Sequence, residues 1–207
     1  MKYDGILFDL DGTLWDAAEP TAISWQLALK DIPDVKRPPT VKELEGVMGM
    51  TAVPLMAKLF PYLSTERGLE LFELCCQVEN EYLREHGGRL YEGIEALLTE
   101  LSAKAPLFIV SNCNKGYIPA FLEAHRLASY FKDFECSGET GLQKGENIQL
   151  VVQRNHLKKP VYIGDTEIDR DAAKQAGVPF LHAGYGFGTV PDAIHAETPL
   201  QLLSLLE

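Results

Sequence analysis

The sequence predicts a doubly wound α/β fold: a parallel sheet covered by helices on both faces, with an all-helical segment inserted after its first strand. Three observations carry this expectation. Ile6-Leu7-Phe8 before Asp9, Leu107-Phe108-Ile109-Val110 before Ser111, and Val161-Tyr162-Ile163 before Gly164-Asp165 are short apolar, β-favouring runs that give way to polar residues, as buried parallel strands do. Helical patterns separate the later runs, and strands alternating with helices imply parallel pairing. The first run ends near Leu10 and the second begins near Leu107, whereas a parallel crossover needs only about a dozen residues, so something has been inserted.

Residues 16–87 supply helix signals only. Pro20 opens Thr21–Leu29, Pro38-Pro39 marks a turn, Thr40 with Glu43 forms a capping box, and Ser64 precedes Leu69, Phe72, Cys76 and Leu83 before a stop at Gly87-Gly88. Beyond the insert, helices are expected over Glu92–Lys104, Ile118–Leu127, Glu146–Gln153 and Ile168–Ala176, the last closed by Gly177. A final strand at Pro179–His182 is followed by Gly184-Tyr185-Gly186-Phe187-Gly188. That run reads as a turn and not as a dinucleotide fingerprint, because no βαβ unit follows it. The domain expectation is therefore an α/β core from 1–15 and 88–207 and a helical cap from 16–87.

Composition narrows the function. The 207 residues are 46% hydrophobic with a formal charge of −11, which gives neither a nucleic-acid footprint nor attraction to an anionic membrane. No apolar run approaches the ~20 residues that span a bilayer. The N-terminus lacks a secretory pattern, and Cys75, Cys76, Cys113 and Cys136 show no CxxC pair or regular spacing, so a reduced, cytoplasmic protein is expected. Cys75 and Cys76 read as small core residues of a helix.

In an open α/β sheet, ligands gather outside the carboxyl ends of the strands, and chemistry-bearing residues fall there. Asp9-Leu10-Asp11-Gly12-Thr13 sets two carboxylates two apart at a strand end. Gly164-Asp165-Thr166-Glu167-Ile168-Asp169 supplies a second acidic cluster, in which a helix start brings Asp165 and Asp169 to one side. Clustered carboxylates repel unless a cation intervenes, and a hard divalent ion, above all Mg²⁺, suits oxygen ligands. The alternative is that these acids complement a helix dipole, which fits Glu167 and Asp171. Ser111-Asn112 can offer a hydroxyl and an amide to an oxyanion. Lys144 stands in a polar stretch where a lysine is usually solvated.

Taken in order, Asp-x-Asp-Gly-Thr, an apolar run ending in Ser, a lone Lys and Gly-Asp-x-x-x-Asp resemble the haloacid-dehalogenase-like hydrolase superfamily along the whole chain. The helical insert is similar to that superfamily's caps of the first class, as in the phosphoglycolate-phosphatase-like and β-phosphoglucomutase-like branches. The resemblance implies a Rossmann-like core and phosphoryl transfer through an aspartyl phosphate. Asp9 matches the nucleophile, Asp11 the general acid/base, Ser111 (with Asn112 beside it) and Lys144 the phosphate binders. Asp9, the Asp11 main-chain carbonyl and Asp165 match the Mg²⁺ ligands, and Asp169 matches an acid that reaches the metal directly or through water. Gly145 departs from the pattern, standing where Pro often follows the lysine, and Asp11 itself argues against a dehalogenase. The expectation is a Mg²⁺-dependent phosphatase of small phosphorylated metabolites. The alternatives are a phosphosugar mutase and, from another class, a non-catalytic phospho-accepting or interaction module. Specificity is expected from the cap, through the Gly46–Thr51 loop or Trp15.

Overall fold

The computed structural model describes residues 2–207. Its elements, in chain order, begin with β1 (Gly5–Phe8) and β2 (Trp15–Asp16), then helices α1 (Ala18–Leu29), α2 (Val41–Glu45), α3 (Ala52–Leu59) and α4 (Thr65–His86). The chain continues through β3 (Arg89–Leu90), α5 (Ile94–Ser102), β4 (Leu107–Ser111), α6 (Tyr117–His125), β5 (Phe131–Cys136) and the single turn α7 (Ser137–Thr140). It ends with α8 (Lys144–Arg154), β6 (Pro160–Gly164), α9 (Glu167–Ala176), β7 (Phe180–Ala183), β8 (His195–Ala196) and α10 (Leu202–Leu206).

The main sheet has the order β5-β4-β1-β6-β7-β8, every pair parallel. Successive side chains of its three central strands divide between the two faces, as a pleat requires. Ile6, Phe8, Leu107, Ile109, Val161 and Ile163 enter one core, while Leu7, Phe108, Val110 and Tyr162 enter the other. Both faces are dry, which is why these strands read as unbroken apolar runs rather than as alternation. Strand order reverses at β1, whose neighbours β4 and β6 lie on opposite sides, so β1 marks the topological switch where a ligand crevice opens. Across β1, the Tyr162 hydroxyl of β6 donates to the Val110 carbonyl of β4 at 2.7 Å, tying together the strands that carry the site.

Helices α1–α4 enclose a third core around Trp25, Leu44, Met56, Phe60, Leu71 and Cys75, so α/β core and helical cap each have apolar interiors. The caps expected from sequence are present: Thr40 and Glu43 satisfy each other's backbone N–H groups, and Ser64 accepts from Arg67 N. Helix α4, about 33 Å long at 1.5 Å per residue, joins the two parts, with Leu71 and Cys75 in the cap core and Leu83 in the main one. The entering and leaving chains pair as a short antiparallel ribbon, Trp15 with Leu90 and Asp16 with Arg89.

Several elements exceed the sequence expectation. Helix α3 carries Pro54, which fits only because it lies in the first turn, where no intrahelical donor is lost. Strand β5 alternates apolar and charged residues, and its Asp133 and Glu135 are taken up by Arg154 of α8 at 2.6 and 2.7 Å, the charged edge that discourages further pairing.

Tyr162→Phe leaves one buried carbonyl short of a donor without changing packing and is expected to cost ~1–2 kcal/mol. Urea denaturation checks it, and an unchanged midpoint would mean that the β4–β6 tie carries no stability.

Candidate active site

The carboxyl ends of β1, β4 and β6 deliver Asp9, Ser111 and Asp165 to one crevice. Carboxylate oxygens of Asp9, Asp165 and Asp169 lie within 4.8 Å of one another, all three residues buried. Lys144, which the resemblance places among the phosphate binders, is the first residue of α8 and the only buried lysine or arginine among the described residues. Its Nζ donates to Asp9 Oδ1 at 2.9 Å and to Asp169 Oδ1 at 2.7 Å. The helix starts early because Glu146 turns back to accept from Gln143 N at 2.9 Å. Gly145 lets α8 reach its neighbour α9: a Cβ there would press on the Gln175 side chain and the Ala172 carbonyl. The residue that departs from the family pattern therefore belongs to the packing that brings Lys144 to Asp169.

Asp169 serves two structures at once. One oxygen holds Lys144; the other accepts from Asp165 N at 3.2 Å, Thr166 N at 2.9 Å and Thr166 Oγ1 at 2.7 Å, closing the capping box of α9. Asp165 accepts from Phe187 N at 2.8 Å through Oδ2, while its buried Oδ1 has no partner. Burial, then the Asp169 charge, raises the carboxyls of both Asp9 and Asp165, with Lys144 opposing. An orphaned carboxylate oxygen in a cluster richer in acids than in bases is the donor set that a hard divalent cation fits.

Asp11 stands beside the cluster. Its Oδ1 accepts from Tyr117 Oη at 2.8 Å and Trp15 Nε1 at 3.0 Å. Burial pushes its carboxyl up to about 6 against those two bonds, although the residue still borders the cleft. Trp15 is fully buried, edge-on to Tyr117 and Phe121; it orients Asp11 and is not among the lining residues of the cleft. Ser111 lines the cleft, its Oγ accepting from Cys113 N at 3.3 Å. Asn112 lines the same cleft; its side-chain amide donates to the Gly49 carbonyl at 2.8 Å and accepts from Ser137 Oγ at 2.8 Å, fastening the Gly46–Thr51 loop to the core.

Three contributors escaped sequence reading. The run Gly184–Gly188 folds over the first acidic loop, where Gly186 leaves no room for a Cβ against the Gly12 carbonyl and the Asp165 side chain; only its density of glycines hinted at so close an approach. Tyr117 carries no motif. Glu79 occupies a place in the four-residue step Leu71, Cys75, Glu79, Leu83, where an apolar residue is expected; an acid on a buried stripe was the available signal.

The chain is similar to known proteins in sequence and in fold. Residues 6–183 match the family model described as haloacid dehalogenase-like hydrolase. The chain belongs to this family, as a phosphatase. A phosphoglycolate phosphatase of Rhodobacter capsulatus is 31% identical, with 90% of this chain and 86% of that protein covered. A 5′-nucleotidase of Pseudomonas aeruginosa is 28% identical over 96% of this chain and 90% of its own length. A haloacid dehalogenase-like hydrolase of Streptococcus pneumoniae shares the fold with a TM-score of 0.83 at 24% identity, covering 100% of this chain and 99% of that one. Among the described residues no helix is long and apolar enough to cross a membrane.

Gly186→Ala should force apart the two acidic loops and cost about 2–3 kcal/mol, read as a lower denaturation midpoint. An unfolding free energy within about 0.5 kcal/mol of wild type would show that the covering loop yields freely.

Proposed function

We propose that the protein is a Mg²⁺-dependent phosphatase of small phosphate monoesters that works through an aspartyl phosphate on Asp9, with residues 16–87 as the cap over its site. The observation that carries this reading is the buried Asp9–Asp165–Asp169 cluster held by Lys144 at the switch point of the sheet, with Asp11 alongside. Mg²⁺ held by Asp9, Asp165 and the Asp11 carbonyl, with Asp169 in contact directly or through water, would neutralise charge on the phosphoryl oxygens.

The side chains divide the remaining work. A carboxylate approaching a phosphate dianion meets like charge, so positioning and positive charge must supply the rate. Lys144 fixes the Asp9 carboxylate and brings its own charge to the phosphate, and the Ser111 hydroxyl donates to a phosphoryl oxygen, with Asn112 ordering the same strand end. Asp9 forms a bond to phosphorus as the bond to the leaving oxygen breaks. Asp11, raised to about 6, delivers a proton to that oxygen. Once ionised, it takes a proton from the water that cleaves the acyl phosphate. Tyr117 and Trp15 hold the one carboxyl in place for both halves.

The names of the relatives, phosphoglycolate phosphatase and 5′-nucleotidase, support hydrolysis over the mutase alternative. A phospho-accepting module has no need of a closed cap core. Four free cysteines, three of them buried, suit a reducing cytoplasm.

Phosphate release from an aryl phosphate should require Mg²⁺ and stop on chelation, and Asp9→Asn should fold normally yet lose turnover by about 10³-fold or more. Full activity after chelation, or an Asp9→Asn rate within about tenfold of wild type, would remove the proposal. For Asp11→Ala, an aryl leaving group needs no proton, so the second half-reaction should become limiting and a burst of acid-stable phosphoenzyme should appear on rapid quench. A phosphoenzyme that in wild type persists and decays only when a sugar phosphate is added would instead favour the mutase.

A further inference from the structure

Two thiols meet beside the cleft, and the reaction on Asp9 uses neither. Strands β4 and β5 run parallel with Ser111 level with Cys136. Cys113 follows Ser111 by two residues, and it packs against the same apolar core that Cys136 enters, so the two side chains share one face of the sheet. The segments that carry them are fastened together. Gly138 N donates to the Cys113 carbonyl at 3.0 Å, the Cys136 thiol donates to the Asn114 carbonyl at 3.6 Å, and Gly138 leaves no room for a Cβ against the backbone of Asn114 and Lys115. The Cys113 thiol in turn donates to the Cys136 sulfur, so the sulfurs are within reach of each other. Both are free thiols: Cys113 is half-buried and lines the cleft, and Cys136 is 4% exposed.

We propose that Cys113 and Cys136 are a modification site: a peroxide joins them as a disulfide, and the joined form has lost phosphatase activity until a small thiol reduces it. The pair itself is independent of the phosphatase reading above; the activity it controls rests on that reading.

The surroundings separate this pair from the other two cysteines. The hydrogen bond from Cys113 holds the Cys136 thiol below its ordinary range, against burial, whereas burial raises both Cys75 and Cys76. The thiolate is the form that reacts. Hydrogen peroxide, close to water in size, enters beside Cys113. The Cys136 sulfur attacks one peroxide oxygen, the O–O bond breaks, and the departing hydroxide takes the Cys136 proton to become water, leaving a sulfenic acid. The Cys113 sulfur then attacks the Cys136 sulfur; the S–O bond breaks, and the oxygen leaves as water with the Cys113 proton. Two thiols are oxidised, one peroxide is reduced, and both its oxygens end in water. An S–S bond is about 2.0 Å long, so the sulfurs must close from hydrogen-bond range and draw their backbones with them. Cys113 lies within the segment that does the work of the site: Ser111 borders the cleft, Asn112 holds the Gly49 carbonyl, Asn114 holds Glu79 and Tyr117 holds Asp11. Displacing catalytic groups by about 1 Å costs on the order of 10²-fold in rate.

The test treats the reduced full-length protein with excess hydrogen peroxide, removes the peroxide, and divides the sample between peptide mapping and turnover of an aryl phosphate with Mg²⁺ present. Trypsin separates the cysteines, leaving Cys113 in 105–115, Cys136 in 133–144 and the adjacent pair in 68–84. Treated wild type should run as a monomer on a non-reducing gel and yield 105–115 joined to 133–144. Its kcat/KM should fall by at least about tenfold, and dithiothreitol should restore it. The double variant Cys113→Ser/Cys136→Ser, compared with its own untreated form, should keep its activity. Recovery of the two peptides unjoined from treated wild type overturns the pair, whatever the variant does. Joined peptides with kcat/KM within about twofold of the untreated protein, or an equal loss of activity in the folded double variant, overturn the control of the site. Absence of turnover in the untreated, reduced protein removes the phosphatase reading and that control with it, while joined peptides still establish the pair.

Discussion

Like charges buried together are the constraint around which this molecule is built. Asp9 comes from the end of β1 and Asp165 and Asp169 from the turn between β6 and α9, and the three meet within 4.8 Å, where mutual repulsion is far stronger than in water. Lys144 is the one buried lysine or arginine among the described residues, and much of the local structure exists to hold that group. Helix α8 begins at Lys144, its contact with α9 is close enough to need Gly145, and α9 is capped by the same Asp169 that receives the lysine. One base against three acids leaves a deficit of positive charge, and Asp165 Oδ1 stands without a partner at the point of that deficit. Such a set of oxygens is one that a hard divalent cation would fit.

The cap stands in a different relation to the core. Two short strands and the exposed Arg89–Asp16 ion pair form the neck, and such a pair contributes little to rigidity. Polar contacts bridge the cleft: Asn112 to the Gly49 carbonyl, Asn114 to Glu79, and Asn80 to Asn114. These contacts cluster at the end of β4 and the loop that follows. The segment that presents Ser111 to the crevice therefore also carries the polar contacts to the cap. Helix α4 adds to them by running from one apolar core into the other.

Much of this was legible in the linear pattern, for reasons that are local. The three central strands are buried on both faces, so they read as apolar runs, and the acids at their ends stood out because polar residues interrupt those runs. Thr40 and Ser64 announced helices because a cap is a contact between residues three apart. Weaker signals failed where the stabilising partner is remote. Strand β5 mixes apolar and charged side chains, and its charges make sense only beside Arg154. The Gly184–Gly188 turn gave no hint of the loop it would cover, and Glu79 looked like one more polar residue of a long helix.

By itself the sequence determined the alternation of strand and helix, the presence of an insert, the two acidic motifs and the net negative charge, since each depends on neighbours a few residues apart. Tertiary structure alone decided which of the chain's many lysines is buried against the acids, that Asn112 fastens the cap loop, and that Trp15 and Tyr117 orient Asp11. Those relations join residues up to 135 positions apart, as Lys144 and Asp9 are. No short-range pattern encodes such a distance: strand order brings the partners together, and burial then turns each pairing into a requirement.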